Sequence, residues 1–351
     1  MKPTSAQARF WHWFENNSER LRAAAWRDEQ TQRTAMRELA EAGAKAAPGL
    51  TLEICADRDG KANRLVVSAD GKRKLVDDAK GFVDAAPAVT GWNVVAFRPR
   101  VENTEITLAG QRVSADDVWF RVAESVDGLD LVLYVRGLTA ANKDARGLAA
   151  ILFSEHAVGE RDMLTMVYLR PIEALPAAPT AEGLRPVREL ADLVDRVKAK
   201  RYPPPGQLPL GLDSEWVIVK GTRNGSPLVA RLHLGLRALA GHPDYDRRLT
   251  VRIPFHEPNA VGFPTKEELH AVCGLEERLT EVLQEGQQSL PALVITADGR
   301  RELLFHTADA DTALQRLERL RAAGGLSPYR LEHEIERDTF WALFRSLCDE
   351  E

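Results

Sequence analysis

Apolar and polar positions alternate most regularly between residues 248 and 336. The segment RLTVRIPFH predicts a strand buried on one face, and GFPTKEELHAVCGLEERLTEVL repeats leucines at helical spacing, with a capping box between Thr265 and Glu268. The pair Asp298 and Gly299 separates two apolar runs, which is a strong signal for a tight hairpin. A leucine stripe in DTALQRLERLRAAGG and the run PYRLEHEIE follow. The pattern predicts strand, helix, strand, strand, helix, strand, which is the ferredoxin-like order.

The rest of the chain contains segments in which apolar residues recur at helical spacing and segments in which they alternate as in a strand. Helices are predicted over residues 5–25 and 29–46, and the order strand, strand, helix, strand then occurs twice, ending in the predicted strand DMLTMVYLRPI. The segments SEWVIVK and PLVARLHL predict a hairpin with its turn at TRNGS, and RDTFWALFRSL predicts a terminal helix. We therefore predict an α+β fold with two α/β sandwich domains, the C-terminal one ferredoxin-like (βαββαβ) with an extra N-terminal hairpin.

Length and a proline run predict two domains. A chain of 351 residues exceeds the roughly 250 to 300 residues at which a single core stops growing. The run of three prolines at 203–205 favours an extended spacer. We expect an N-terminal α+β domain with two leading helices over residues 1–200 and a C-terminal ferredoxin-like domain over 212–351.

Charge and cysteine content limit the classes of function. The chain has 47 basic and 52 acidic residues, whereas a general nucleic-acid binder carries a positive excess. Cys55, Cys273 and Cys348 are odd in number, widely spaced and set in apolar runs, so we expect small buried thiols rather than disulfides. No segment approaches the ~20 apolar residues of a membrane span. We expect a cytoplasmic protein with no membrane contact, for which nucleic acid is a poor partner.

The candidate metal and catalytic groups have ordinary structural explanations. Asp309, near His306, stands where a helix needs an N-cap. His270 and Cys273 are three residues apart on a predicted helix, but no second pair has the spacing of a zinc site. Motifs for nucleotide binding, zinc proteases and serine hydrolases are missing from the sequence. We therefore expect no metal and no cofactor.

Two clusters in the N-terminal half have alternative interpretations. Arg98 and Arg100 alternate at a strand end, where they could bind an anion or form a solvated strand edge. The aromatic residues of FWHWF could grip a partner, but Phe10 and Phe14 share one helical stripe. We expect this aromatic stripe to pack in the core.

The C-terminal sheet contains the candidate partner site. If both helices pack on one face, Arg231, His233, Thr250 and Arg252 point to the other face, which would be polar and free of helices. Arginine is enriched at protein interfaces, so we hypothesise that these residues bind another protein. Single-stranded RNA is a poorer fit because the strands lack paired aromatic residues for base stacking.

A loop at the end of a strand is the alternative site. The segment FHEPNAVG places His256, Glu257, Asn259 and Gly262 where catalytic groups are common, but no nucleophile is evident. The alternative function is therefore an enzyme with a site in this loop or in the interdomain cleft.

Several longer segments resemble known families. Through Trp216, IPFHEPNAVGFPTKEELHAVCGLEERL, TADGRRELLFHTAD, Asp338 and Trp341, residues 213–347 resemble the bacterial family catalogued as domain of unknown function 695. That family is similar in fold type to the regulator of ribonuclease E activity B. FWHWFENN, LVVSADG and DAAPAVTGWNVVAFRPR resemble a second uncharacterised bacterial family. These resemblances supply no catalytic residues and imply a non-catalytic protein-binding or regulatory module, with its partner and oligomeric state left open.

Overall fold

The computed structural model describes residues 4–25, 27–56, 63–209, 215–223 and 225–348. Helices and several separate sheets occur along the chain, which confirms the predicted α+β class. The chain divides into two compact units, Met1–Arg196 and Val197–Glu351. The predicted turn residue Asn224 and part of the predicted linker, residues 210–214, lie outside the described residues.

The N-terminal unit starts with two helices and continues with short strands and helices. Its elements are α1 (Ser5–Ala24), α2 (Glu29–Gly43), β1 (Thr51–Ala56), β2 (Asn63–Ser68), α3 (Val76–Asp84), β3 (Trp92–Ala96), β4 (Glu105–Leu108), β5 (Gln111–Ser114), β6 (Val118–Glu124), β7 (Leu129–Val135), α4 (Lys143–Val158), α5 (Glu160–Met166), β8 (Val167–Ala174), β9 (Arg185–Pro186) and α6 (Leu190–Arg201), the last of which crosses the division between the units.

The described strands of this unit form three sheets. Their orders are β1-β2-β3, β4-β5 and β8-β7-β6-β9. The pairs β2–β3 and β7–β8 are parallel and the others antiparallel. Where the sequence pattern predicted one sandwich, the structure thus has several small sheets with helices packed around them.

The predicted aromatic stripe of α1 lies in the core. Phe10, Trp11 and Phe14 are all buried. The rings of Phe10 and Trp11 lie 5.2 and 4.8 Å from the ring of Phe82 on α3. Core packing of this cluster is therefore confirmed, because aromatic rings at these distances form a continuous apolar contact.

A buried carboxylate lies at the start of a helix that includes the first part of the predicted strand DMLTMVYLRPI. Glu160 is fully buried and accepts hydrogen bonds from the Ser68 hydroxyl (2.8 Å) and from the backbone N–H groups of Asp70 (2.9 Å) and Arg98 (2.8 Å). These partners from distant segments fix the position of the first residue of α5, which ends at Met166, and β8 starts at Val167. The prediction of a strand from residue 162 was wrong because an apolar run alone does not distinguish the two conformations.

The described strands of the C-terminal unit form one antiparallel sheet of six strands. Its order is β10-β11-β13-β14-β12-β15, and the predicted order strand, helix, strand, strand, helix, strand runs from β12 to β15. The elements are β10 (Trp216–Arg223), β11 (Ser226–His233), β12 (Arg247–Pro254), α7 (Lys266–Gln284), β13 (Ser289–Ala297), β14 (Arg300–Thr307), α8 (Ala310–Ala322), β15 (Glu332–Arg337) and α9 (Ala342–Cys348).

Two local signals of this unit are confirmed. Asp298 and Gly299 both have positive φ, 51° and 74°, as a type I′ hairpin turn requires. The carboxylate of Asp309 caps α8 by accepting from the N–H groups of Asp311 and Thr312. The hydrogen bond from the Thr312 hydroxyl, and then the one from the Thr312 N–H, lower the pKa of Asp309. The hairpin and the helix start therefore lie where the sequence places them.

The proline run is packed rather than free. His242 donates from Nε2 to the Pro203 carbonyl at 2.8 Å, and the ring of Tyr202 lies 5.1 Å from the imidazole. Leu208 is buried in the apolar cluster of the C-terminal unit. The segment predicted as an extended spacer is thus attached to this unit.

Both faces of the six-stranded sheet are covered. Helices α7 and α8 pack on the face that contains Leu249 and Val251. On the opposite face, α9 and the 3₁₀ helix at 234–239 cover Leu232, Leu293 and Leu304. The predicted polar, helix-free face is therefore wrong, because β13 and residues 303–305 of β14 are apolar on both sides of the sheet and require a cover on each.

Candidate functional site

The four predicted partner-binding residues lie on opposite faces of the C-terminal sheet. Arg231 is opposite Val294, Val294 is opposite Leu303, and Leu303 is opposite Val251. Directly opposed residues share a face, so Arg231 and His233 lie on the α7 side. Thr250 and Arg252 lie on the other side. The shared surface predicted for them is wrong, because alternation orders side chains within a strand but not between strands.

Arg231 and His233 surround an exposed tryptophan. The imidazole of His233 stacks on the indole of Trp216 at 4.6 Å, and the guanidinium of Arg231 lies over the same indole at 5.6 Å. His233 is only 1% exposed and its Nδ1 lies 3.0 Å from the Pro291 carbonyl. Arg231 also forms an ion pair with Glu276 of α7. These contacts hold the Trp216 side chain in one position.

Thr250 and Arg252 have structural roles. Thr250 is buried, and Arg252 pairs with Glu334 on the neighbouring strand β15 at 2.8 Å. Neither contacts Trp216. The structure therefore retains two of the four predicted residues in one cluster and separates the other two from it.

Strand β10 is the exposed edge of this cluster. It ends the sheet, and within the described ranges it pairs only with β11. Trp216 is 36% exposed and Ile218 is 65% exposed, although both are large apolar residues. A groove of about 380 Å³ lies between this strand pair and α7, lined by Trp216, Arg231, Glu276, Glu277 and Glu281 among others. Residues 216–219 are all apolar, so the sequence has no alternation there that would have marked β10 as an exposed edge.

The alternative loop site has an ordered backbone. The carboxylate of Glu268 accepts a hydrogen bond from the backbone N–H of His256 at 2.5 Å. The same carboxylate lies 3.4 Å from the imidazole Nδ1 of His256. The Asn259 side chain accepts from the N–H groups of Val261 and Phe263, and Glu257 is exposed. The loop thus brings His256 and Glu268 together, and the enzyme alternative stays a prediction.

Glu268 completes only half of the predicted capping box. Its N–H donates to the Thr265 hydroxyl at 3.2 Å, which confirms the N-cap. Its carboxylate faces the loop at His256 instead of returning to the Thr265 backbone. The helix start is therefore joined to the loop that precedes it.

A second cleft lies in the N-terminal unit, next to the arginine pair considered from the sequence as an anion site. It has a volume of about 620 Å³, and a neighbouring cavity of about 570 Å³ shares part of its wall. Volumes of this size accommodate small organic ligands. The residues common to both cavities are Arg100, Val101, Glu102 and His156.

Arg98 and Arg100 are surrounded by carboxylates. Arg98 contacts Glu53 at 2.5 Å, Asp70 at 3.2 Å and Glu155 at 3.3 Å. Arg100 forms a two-point contact with Asp195, at 2.6 and 2.7 Å. These contacts raise the pKa of both guanidinium groups. The anion site considered for this pair has no support, since protein carboxylates already occupy the guanidinium edges.

His156 is the histidine that lines the larger cleft. Its Nδ1 lies 3.2 Å from the side-chain nitrogen of Asn103. Burial and then the charge of Arg98 lower its pKa, so the imidazole is neutral near pH 7. Sequence reasoning missed the pair because 53 positions separate its members and neither belongs to a motif.

The thiols and possible metal ligands also have defined surroundings. Cys273 is half-buried, with its sulfur 3.3 Å from an Arg301 nitrogen, and Cys348 is buried. Cys55 is exposed, contrary to the expectation of a buried thiol. Partial desolvation, and then the charge of Glu53, nevertheless raise the pKa of its thiol. Among the described ranges, no group of three His, Cys, Asp or Glu side chains is arranged to hold a metal ion. No helix in these ranges is both long and apolar enough to cross a bilayer.

Comparison with known proteins assigns part of the C-terminal unit to a family whose function is unknown. No curated protein and no solved structure matches the chain. The resemblance of the N-terminal half to a second family stays a prediction. The model described as "Family of unknown function (DUF695)" matches residues 214–347, from the start of β10 into α9, so the resemblance of the C-terminal half to that family is confirmed.

Proposed function

We propose that the protein is a non-catalytic protein-binding or regulatory module that binds an extended segment of another protein along β10. The observation that carries this proposal is the exposure of Trp216 and Ile218 on the terminal strand of the sheet. An edge strand presents a row of backbone donors and acceptors, and a partner segment can add to it as a further strand. Main-chain hydrogen bonds then supply affinity, and alternate side chains supply specificity.

The first half of β10 lacks the features that usually protect an edge. Residues 216–219 read Trp-Val-Ile-Val, with no charge and no proline. Proteins commonly place charged residues or proline on exposed edges because an open apolar edge pairs with other chains. An edge without this protection is consistent with a binding function.

Trp216 has the surroundings of an interface anchor. Tryptophan and arginine are enriched among residues that dominate binding energy. The buried ring of His233 supports one face of Trp216, and Arg231 lies beside it. An anchor that is already positioned loses little side-chain entropy on binding, which favours affinity.

The groove next to β10 favours a basic partner segment. Glu276 is neutralised by Arg231 and Arg301. Glu277 and Glu281 are exposed on α7 and have no ion-pair partner in the part of the chain that the structure describes. Lysine or arginine side chains of a bound strand would complement these two carboxylates.

Site-specific photo-cross-linking tests the proposal. A photoreactive phenylalanine analogue replaces Ile218 in the full chain, and a matched version carries it at Leu169, a 38% exposed residue on the terminal strand β8 of another sheet. We expect a protein adduct at position 218 that is absent at 169, with the cross-linked partner peptide extended and basic. No adduct at 218, equal adducts at both positions, or an adduct only with a second copy of this chain would count against the proposal.

A further inference from the structure

We propose that the cleft between α4 and residues 100–104 of the N-terminal unit binds a neutral small molecule through a planar amide edge, such as that of a carboxamide or a lactam. This site is separate from the β10 edge and does not depend on it. The inference rests on the shape of the cleft, on the hydrogen-bonding groups at His156 and on the neutralised charges around it.

The cleft combines a suitable volume with apolar walls. Its volume of about 620 Å³ lies within the range of small-molecule sites. Phe153 and Ala157 of α4 form one wall, and Val187 and Ala191 form another. Val101 lines the same cleft and is 49% exposed, so apolar surface remains that a ligand could cover.

The pair His156 and Asn103 presents one donor and one acceptor. With a neutral imidazole, the Asn103 amide donates to Nδ1, so that His156 Nε2–H and the Asn103 carbonyl oxygen are left for a ligand. If the oxygen and nitrogen of the Asn103 side-chain amide are exchanged, the oxygen accepts from Nδ1–H of His156. The Nε2 acceptor of His156 and an amide N–H donor of Asn103 then remain for a ligand. Either arrangement complements an amide edge, which itself carries one donor and one acceptor.

The charged residues of the cleft do not attract an anion. Arg188 pairs with Asp116 at 2.6 Å, and Arg100 is held by Asp195 and by Asp162 at 3.4 Å. The lining arginines are balanced by the lining acids Glu102 and Asp116. A carboxylate or phosphate ligand would lose hydration without gaining an unengaged cation. The charges therefore disfavour an anion, and the donor and acceptor at His156 and Asn103 favour a neutral amide.

Matched pairs of small probes test the proposal on the full-length protein. The probes are nicotinamide and benzamide, with nicotinate and benzoate as the anionic counterparts, measured by saturation-transfer NMR and titration. We expect the amides to bind and the acids to bind at least about tenfold more weakly. His156→Ala and Asn103→Leu should each weaken amide binding about tenfold.

Two further variants separate the ligand contact from general damage to the fold. His12→Ala removes another histidine that contacts an asparagine, Asn16 at 3.1 Å, but on an exposed helix face, and it should leave binding unchanged. Ala157→Phe fills the cleft while keeping His156 and Asn103, and it should abolish binding with the circular dichroism spectrum unchanged. The proposal is overturned if neither amide binds, if the acids bind as well as the amides, or if binding survives both His156→Ala and Ala157→Phe.

Discussion

The imidazole of His306 lies flat against the indole of Trp341, with ring centroids 3.8 Å apart and planes inclined by 5°. Both residues are buried in the layer between the C-terminal sheet and α9. Among the described residues, Nδ1 of His306 has no hydrogen-bond partner. Burial, and then the charge of Arg248, hold the pKa of His306 well below its ordinary value of 6.5, while a hydrogen bond with the Tyr245 backbone acts in the opposite direction.

This pKa shift predicts an acid-sensitive C-terminal unit. Below about pH 6.5 this histidine is protonated in the unfolded chain but not in the folded chain. The stabilisation of the folded state that neutral His306 contributes is therefore complete above that pH and decreases as the pH falls below it. The loss is up to about 1.4 kcal/mol of unfolding free energy per pH unit. We expect His306→Phe, which keeps a stacked ring, to flatten this dependence in urea unfolding between pH 7.5 and 5. His12→Phe, at an exposed histidine, should keep it.

Removal of the Glu160 charge should destabilise the N-terminal unit. Glu160→Gln places an amide nitrogen among three donors, so at least one buried group loses its partner. We expect a loss of about 2 to 3 kcal/mol of unfolding free energy, visible as faster hydrogen exchange in β2 and in the segment after β3. The control Glu173→Gln, on exposed β8, should change neither quantity. Unchanged exchange in Glu160→Gln would contradict the role assigned to this carboxylate.

The two predicted interface arginines should behave differently. Arg231 lies beside Trp216 at the open edge, whereas Arg252 lies on the opposite face of the sheet. Once a partner segment is known, Arg231→Ala should weaken its binding by about 1 kcal/mol or more, and Trp216→Ala by about 2 kcal/mol. Arg252→Ala should leave the affinity unchanged by calorimetry. Equal losses for the two arginines would place the partner elsewhere.

A pair of glycines provides a backbone test of the loop at His256. Gly262 has φ of 82°, and a Cβ atom there would lie 3.0 and 3.1 Å from the backbone nitrogens of Gly299 and Asp298. Gly262→Ala should therefore reduce the unfolding free energy by more than about 1 kcal/mol. Gly274, inside α7, has open space at the same position, so Gly274→Ala should increase stability by about 0.5 to 1 kcal/mol. Thermal unfolding of both variants distinguishes the two effects.

The sequence predicted local structure well and relations between strands poorly. The leucine stripe of α7 and the turn at Asp298 were correct because each depends on residues close together in the chain. The faces of Arg231 and Thr250 depend on β13 and β14, which lie between the strands that carry them. His156 gave no signal because its partner Asn103 and the apolar walls come from separate segments. Such relations follow only from the assembled sheet and helices.

The contacts of Glu160 also determine when the N-terminal unit can finish folding during synthesis. Ser68 and Glu160 are 92 positions apart, which a ribosome adding about 5 to 20 residues per second covers in roughly 5 to 20 s. All strands of the sheet β1-β2-β3 are made before this carboxylate. Until Glu160 has been synthesised, the Ser68 hydroxyl and the N–H groups of Asp70 and Arg98 lack their buried acceptor. We therefore expect this end of the sheet β1-β2-β3 to remain incomplete until α5 has been synthesised.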